Sequence, residues 1–160
     1  MALWRLITHH QYPEDMLGWV LTTQRLAIGW GRIGDLSAGG YTSHEDIARV
    51  ISDRYDGIAN APSGGHCLWD FWRTMRHGDL VILGTGERRR AVLRVTGPYE
   101  YVATAQPQPV IDYQHQREAE LVNLDADHLW QNAGATIAAG YSIRWTLVRC
   151  ARDVPEATRR

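Results

Sequence analysis

The sequence predicts an α+β domain: a curved, mostly antiparallel sheet or small β-barrel with two or three flanking helices. Three observations point there. Short apolar or alternating runs recur along the chain as strand candidates, two stretches between them carry helical periodicity, and glycine- or proline-rich breaks separate them. A length of 160 residues suits one core and is short for two. The domain is placed at residues 1–152, with 153–160 as a C-terminal tail.

Trp4-Arg5-Leu6-Ile7-Thr8 reads as the first strand, with His9 and His10 just beyond it. Residues 11–25 give no clear period, and Trp19 within them receives no role. Residues 26–30 read as a short buried strand. Ser43 followed by Asp46 resembles a capping box, and the helix it opens carries Ile47, Val50 and Ile51 on one face to about Tyr55. Residues 57–65 read as a loop of small residues around Pro62. A second helix follows, with Leu68, Trp72 and Met75 at i, i+4, i+7, and Gly78 stops it. Residues 79–83 form a strand, Gly84-Thr85-Gly86-Glu87 turns the chain, and 91–96 return it. Gly97-Pro98 breaks that strand, and Tyr99-Glu100-Tyr101-Val102 alternates as another. Gln106-Pro107-Gln108-Pro109 is a loop and 116–124 a strand. Asp125 caps a short helix through Trp130. Residues 143–148 have strand composition but also fit a helix.

Composition removes several functions. No apolar run approaches the ~20 residues of a membrane span, and the N-terminus lacks the features of a signal peptide, so a cytoplasmic protein is expected. A formal net charge of −1 argues against a broad, non-specific nucleic-acid binder. Arg88-Arg89-Arg90 and Arg159-Arg160 are the local exceptions, read as a solvated turn and a tail. Every basic residue besides histidine is arginine. A Walker loop and Schiff-base chemistry, which need lysine, are therefore excluded. Cys67 and Cys150 read as buried thiols, and neither His9-His10 nor His66-Cys67 has the spacing of a metal site. No metal, cofactor or catalytic constellation is expected.

The most informative segment is Leu26-Ala27-Ile28-Gly29-Trp30-Gly31-Arg32-Ile33-Gly34-Asp35-Leu36-Ser37. Small residues on both sides leave the Trp30 indole uncrowded, open to a flat partner at the mouth of a cavity. The same letters match G-x-G-x-x-G, but a dinucleotide site needs a helix directly after the third glycine. Gly39-Gly40 interrupts it, and the next helix begins only near His44. Trp4, Trp69, Trp72, Trp130 and Trp145 read as packing residues. Asp79 reads as a turn-bonding carboxylate.

Four blocks in order resemble a known family: Trp4-Arg5-Leu6-Ile7-Thr8, Ile28-Gly29-Trp30-Gly31, the run from Phe71 to Val81 that contains Met75-Arg76-His77-Gly78-Asp79, and Val95-Thr96-Gly97-Pro98-Tyr99-Glu100-Tyr101 followed by Tyr113-Gln114-His115-Gln116-Arg117. Together they resemble the EVE domains of the PUA-like superfamily, relatives of YTH domains, and especially the variant fused to modification-dependent restriction nucleases. Gly31-Arg32 stands where EVE proteins usually carry Arg-Asn. The resemblance implies a non-enzymatic module that holds a modified base, methylated or hydroxymethylated, flipped from DNA into an aromatic pocket. It further implies a nuclease partner, in trans or by fusion.

On that reading Trp30 is the main stacking face, with Tyr99 or Tyr101 opposite or beside it, one of the two facing the pocket. Thr8 and His9 read the base edge, Gly31 lets it approach, and Asp35 or Ser37 meets an exocyclic amine. Arg117, His115 and Arg32 are the phosphate candidates. Stacking on an aromatic face returns about 1–3 kcal/mol per base, whereas a methyl adds about 0.8, so discrimination requires a close-fitting pocket with polar groups. Two other functions fit the chain: an RNA-binding PUA-like module, and a small enzyme acting on a free nucleotide.

Overall fold

Alternation along two strands, β1 (Leu3–Ile7) and β3 (Leu80–Thr85), sets the architecture. Trp4, Leu6, Val81 and Leu83 point into the larger core, while Leu3, Leu80 and Ile82 point into a smaller one on the opposite face. A sheet buried on both faces needs helices on both. The computed structural model, which describes residues 1–103, 110–133 and 137–155, supplies them. Helices α1 (Pro13–Thr23), α2 (His44–Arg54) and α3 (Ala61–Trp69) contribute to the larger core, and α4 (Ala126–Asn132) covers the smaller.

The sheet is open and mixed, six-stranded among the described residues, in the order β2-β5-β4-β3-β1-β6. The remaining strands are β2 (Arg25–Ile28), β4 (Arg88–Tyr101), β5 (His115–Val122) and β6 (Leu147–Arg149). β1 runs parallel to β3, and the other pairings are antiparallel. The α+β class therefore holds. The sheet is not purely antiparallel, because the return from β1 to β3 is a long crossover through three helices rather than a hairpin.

The first strand, the capped α2 and the Asp125-capped α4 lie close to where the sequence puts them. Ser43 and Asp125 each accept the expected backbone N–H, from Asp46 and His128. Four readings change. Residues 13–23 are a helix whose only sequence cue is Pro13 at its start, with Met16, Leu17 and Val20 buried. The supposed loop around Pro62 is the first turn of α3, which includes Gly64 and Gly65. Those glycines are contact points: a Cβ on Gly65 would lie 2.5 Å from the His44 carbonyl of α2, and one on Gly64 2.9 Å from the Trp30 indole. Gly97-Pro98 does not end a strand. β4 continues through it with a register shift between Val95 and Tyr99, a bulge that bends the strand. Finally, Arg88-Arg89-Arg90 is the start of β4 rather than a turn.

After α3 the chain makes one wider turn, Asp70–Thr74, with Met75 N–H bonded to the Asp70 carbonyl. Asp79 then closes the junction as a structural carboxylate. It accepts Ala2 N–H, Trp4 Nε1–H and Arg76 N–H at 3.2, 3.0 and 3.0 Å. The domain also extends past residue 152, since Val154 is buried and its N–H donates to Met1 O. The expected loop at 106–109, Gly134 and Arg159-Arg160 lie outside the described residues. Among the described residues no helix is long and apolar enough to cross a membrane.

The α2–α3 contact gives a direct test. Gly65→Ala places a methyl 2.5 Å from one backbone atom and 2.8 Å from another on α2. Separating the helices is expected to cost about 1–3 kcal/mol, read as a fall in thermal midpoint. Unchanged stability would show that the two helices do not pack this closely.

Candidate functional site

Trp30 follows β2 in the left-handed backbone region, φ 63°. A non-glycine residue there is strained by roughly 1–2 kcal/mol, so the surroundings must hold it. They do so by its neighbouring backbone. Gly31 N–H donates to the Asp112 carbonyl at 2.9 Å, and Tyr101 Oη–H donates to the Gly31 carbonyl at 2.9 Å. His115 Nε2 lies 3.0 Å from the Trp30 carbonyl, which can only accept, so Nε2 carries the proton. Nδ1 is then the acceptor for Tyr99 Oη–H at 2.7 Å, and the same hydroxyl accepts Leu36 N–H at 3.0 Å. The result is a buried relay, Leu36 to Tyr99 to His115 to Trp30, with each of these hydrogen-bonding groups paired. Burial pushes the His115 imidazole down to about 4, partly offset by its bond to Trp30 and by Asp35. It is neutral at physiological pH.

Glycine is required at position 31. A Cβ there would sit 1.5 Å from Gln114 Oε1 and 2.9 Å from Asp112 O, so only glycine lets the two loops touch. Gly64 does the same for the ring, giving the half-buried Trp30 indole a seat against α3. No other aromatic ring among the described residues is paired with it. The indole also lines a cavity of about 220 Å³, walled by His10, Tyr55, Asp112, Tyr113 and Thr146. Ile58 and Ile111, 37% and 70% exposed, stand on its lining as uncovered apolar groups.

The polar groups of this cavity are themselves oriented. Asp112, also left-handed at φ 63°, holds Arg32 Nε at 3.0 Å and Tyr55 Oη at 3.3 Å through Oδ2. The Arg32 guanidinium lies 4.1 Å from the Tyr55 ring centroid. His10 Nε2 is 3.1 Å from Thr146 Oγ1. Burial, then the nearby Arg5, pushes His10 below its ordinary value. Burial likewise raises the Tyr113 phenol, which stays protonated. The cavity therefore offers a carboxylate, an imidazole, hydroxyls and three aromatic walls.

The sequence-nominated residues divide. Trp30 and, at the rim, Arg32 belong to this site. Tyr99 and Tyr101 do not line it. Two apart on one strand, they share a face, and both rings approach His115, at 5.8 and 5.6 Å between centroids. Together with Gly31 and His115 they hold the loop that carries Trp30. His115, fully buried, has no surface for a phosphate. Arg117 is buried as well. Its Nε donates to Gly97 O, and Nη1 to Phe71 O and Met75 O, at 3.1, 3.0 and 2.8 Å. Thr8 donates to Pro13 O, and His9 Nδ1 accepts Gln11 and Tyr12 N–H, so both shape the entry to α1. His9 also packs on Tyr113, 5.3 Å between centroids, one layer behind the cavity. Asp35 accepts the N–H and Oγ–H of Ser37, a local turn bond.

Sequence reasoning missed His10, Tyr55, Asn60, Ile111, Tyr113 and Thr146 as lining. Tyr113 stood within a recognised block. The others come from four separate segments, and nothing local marks them. The G-x-G-x-x-G letters lead into two short 3₁₀ turns, Gly31–Ile33 and Leu36–Ala38, rather than a helix that would receive a pyrophosphate.

Comparison with known proteins adds a family. No curated protein matches the chain. A family model described as a domain of unknown function (DUF8426) matches residues 4–133, which include both strands of the loop clamp, Trp30 and most of the cavity wall. The chain belongs to that DUF8426 family.

Proposed function

We propose that the cavity beside Trp30 receives a single modified nucleobase turned out of a nucleic-acid strand, DNA before RNA, and that the protein is a non-enzymatic reader of the EVE and PUA-like kind. The observation that carries this reading is the Trp30 indole itself. It is held in a strained backbone by a fully paired relay, half-exposed, and unpaired with any other ring among the described residues. Strain of this kind clusters at ligand sites, which supports the reading. A volume of about 220 Å³ lies below the range of roughly 300–1,000 Å³ usual for whole small ligands, which favours one flat ring system over a complete nucleotide.

The surroundings support the same reading. Asp112 is an acceptor for an exocyclic amine, and Tyr55 and Tyr113 add aromatic wall. Ile111, 70% exposed beside the cavity, supplies an apolar side chain that would fill the gap a flipped base leaves in its stack. Arg32 at the rim is the remaining phosphate contact. A nuclease acting in trans or fused to the chain would turn such reading into restriction.

The test is a binding panel of short duplexes and single strands, each with one modified base. Trp30→Ala is expected to lower affinity for the preferred base about 10- to 100-fold, the equivalent of one lost stack, in a protein that still unfolds cooperatively. Equal binding of modified and plain oligonucleotides would end the proposal. Tighter binding of the matched RNA would assign the site to RNA.

A further inference from the structure

Arg88-Arg89-Arg90 has no part in the site above, yet two of its residues wall another cavity. This one, about 600 Å³, opens on the α4 side of the sheet, between the β3–β4 turn and the segment around Ile143. Arg5 lies in its lining and is only 8% exposed. Its Nη1 and Nη2 donate to the carbonyls of Ile143 and Trp145, which are neutral. Its Nε–H is buried without an acceptor. No carboxylate pairs with this guanidinium among the described residues, and burial pushes it below its ordinary value, yet an arginine side chain stays charged in a protein.

Around Arg5 the cavity gathers more positive charge. Arg88 and Arg144 are exposed in its wall, and neither has a carboxylate partner among the described residues. Arg89 keeps Asp127 on Nε at 2.6 Å and lies 5.5 Å from the Trp130 ring centroid. Glu87 is the one acid in the lining. A buried guanidinium bonded only to neutral carbonyls is costly, and adding like charges beside it makes it more so. An anion relieves both. Guanidinium groups from β1, β4 and the turn around Ile143 line this one cavity, and several such forks fit a group with three or more oxygens better than a two-oxygen carboxylate. Trp130 and Ile143, the latter 52% exposed, add apolar wall for an organic body, and the volume suits a ligand of nucleotide size.

We propose that this cavity binds a small phosphorylated ligand of nucleotide size, with its phosphate on Arg5, Arg88 and Arg144 and its body against Trp130 and Ile143. Calorimetry on the full chain at fixed chloride tests it, with adenosine monophosphate, pyrophosphate, adenosine, and an oligonucleotide lacking terminal phosphates as the probes. Adenosine monophosphate is expected to bind at least tenfold more tightly than adenosine. The double variant Arg88→Ala/Arg144→Ala is expected to lose tenfold or more, while Arg54→Ala/Arg73→Ala, which removes the same charge elsewhere, keeps full affinity. The Arg5 Nε–H resonance should move on saturation with pyrophosphate. Three results would each overturn the proposal: phosphorylated and plain probes binding alike, no effect of the double variant, or a still Arg5 signal. An oligonucleotide that binds through Arg88 and Arg144 as tightly as the mononucleotide would replace the small ligand with a strand phosphodiester.

Discussion

Arg117→Met is expected to destabilise the protein by about 3–5 kcal/mol, since each buried acceptor left unpaired costs roughly 1–3. The side chain ties three carbonyls of two elements at once. Nη1 holds the carbonyls of Phe71 and Met75 at the end of the α3 helical segment, where no further turn supplies donors. Nε holds Gly97 O, at the register shift in β4. The residue is 5% exposed, so water does not replace it. Methionine keeps most of the volume and removes every donor. Lysine does not rescue, because one ammonium on a flexible stem cannot span three carbonyls on two elements. Urea unfolding should show a lower midpoint with an unchanged slope. A loss below about 1 kcal/mol would mean that the carbonyls find other partners. Because Arg117 contacts no part of the Trp30 cavity, base affinity per folded molecule should stay at the wild-type level.

Acid should weaken the protein through His115, and the sign follows from the direction of its shift. The imidazole is pushed down to about 4 in the fold, against an ordinary value of 6.5. Above pH 6.5 it is neutral in both states, and its hydrogen bonds contribute in full. Between 6.5 and 4 the unfolded chain takes the proton first, so stability falls as pH falls. Below about 4 both states are protonated and the loss levels off at about 3 kcal/mol. Protonation also removes the Nδ1 lone pair that accepts from Tyr99, which opens the relay onto the Trp30 carbonyl. His9 and His10 are lowered too, by burial foremost, and add slopes of the same sign. The measurement is therefore a difference: stability against pH for wild type minus His115→Gln. The expected difference falls by about 3 kcal/mol from pH 7 to 4. A flat difference would show that His115 titrates normally and that the relay does not hold the loop as described. Base affinity should drop over the same window.

These two residues also show where sequence reasoning reaches its limit. His115 and Arg117 stand out in the chain as polar groups two apart on a strand, and the family resemblance suggests phosphate for them. Both instead turn inward, one to the Trp30 loop and one to the end of the α3 segment. Nothing in a linear pattern distinguishes an arginine that meets solvent from one that meets three carbonyls, because those carbonyls belong to residues 20 to 46 positions away. Tyr99 and Tyr101 correct the expectation that one of the two faces the pocket: residues two apart on a strand share a face, and both rings meet His115 instead. Trp30 was legible for the opposite reason. Its glycine neighbours mark, in the chain itself, a place where the backbone must bend and approach another segment.

Local chemistry thus settled whatever depends on neighbours in the chain: the α+β class from alternating and helical periods, the caps at Ser43 and Asp125, the turn at Asp79, and Trp30 as a residue set apart. Tertiary structure alone decided whatever depends on groups far apart in sequence. It turned the small-residue stretch around Gly64 into a helix that seats the indole, brought His10, Tyr55, Asp112, Tyr113 and Thr146 around one cavity, and left Arg5 bonded to neutral carbonyls in another. Short-range preferences are written in the order of residues. Burial, pairing and cavity shape are properties of the closed sheet of contacts and exist only once it forms.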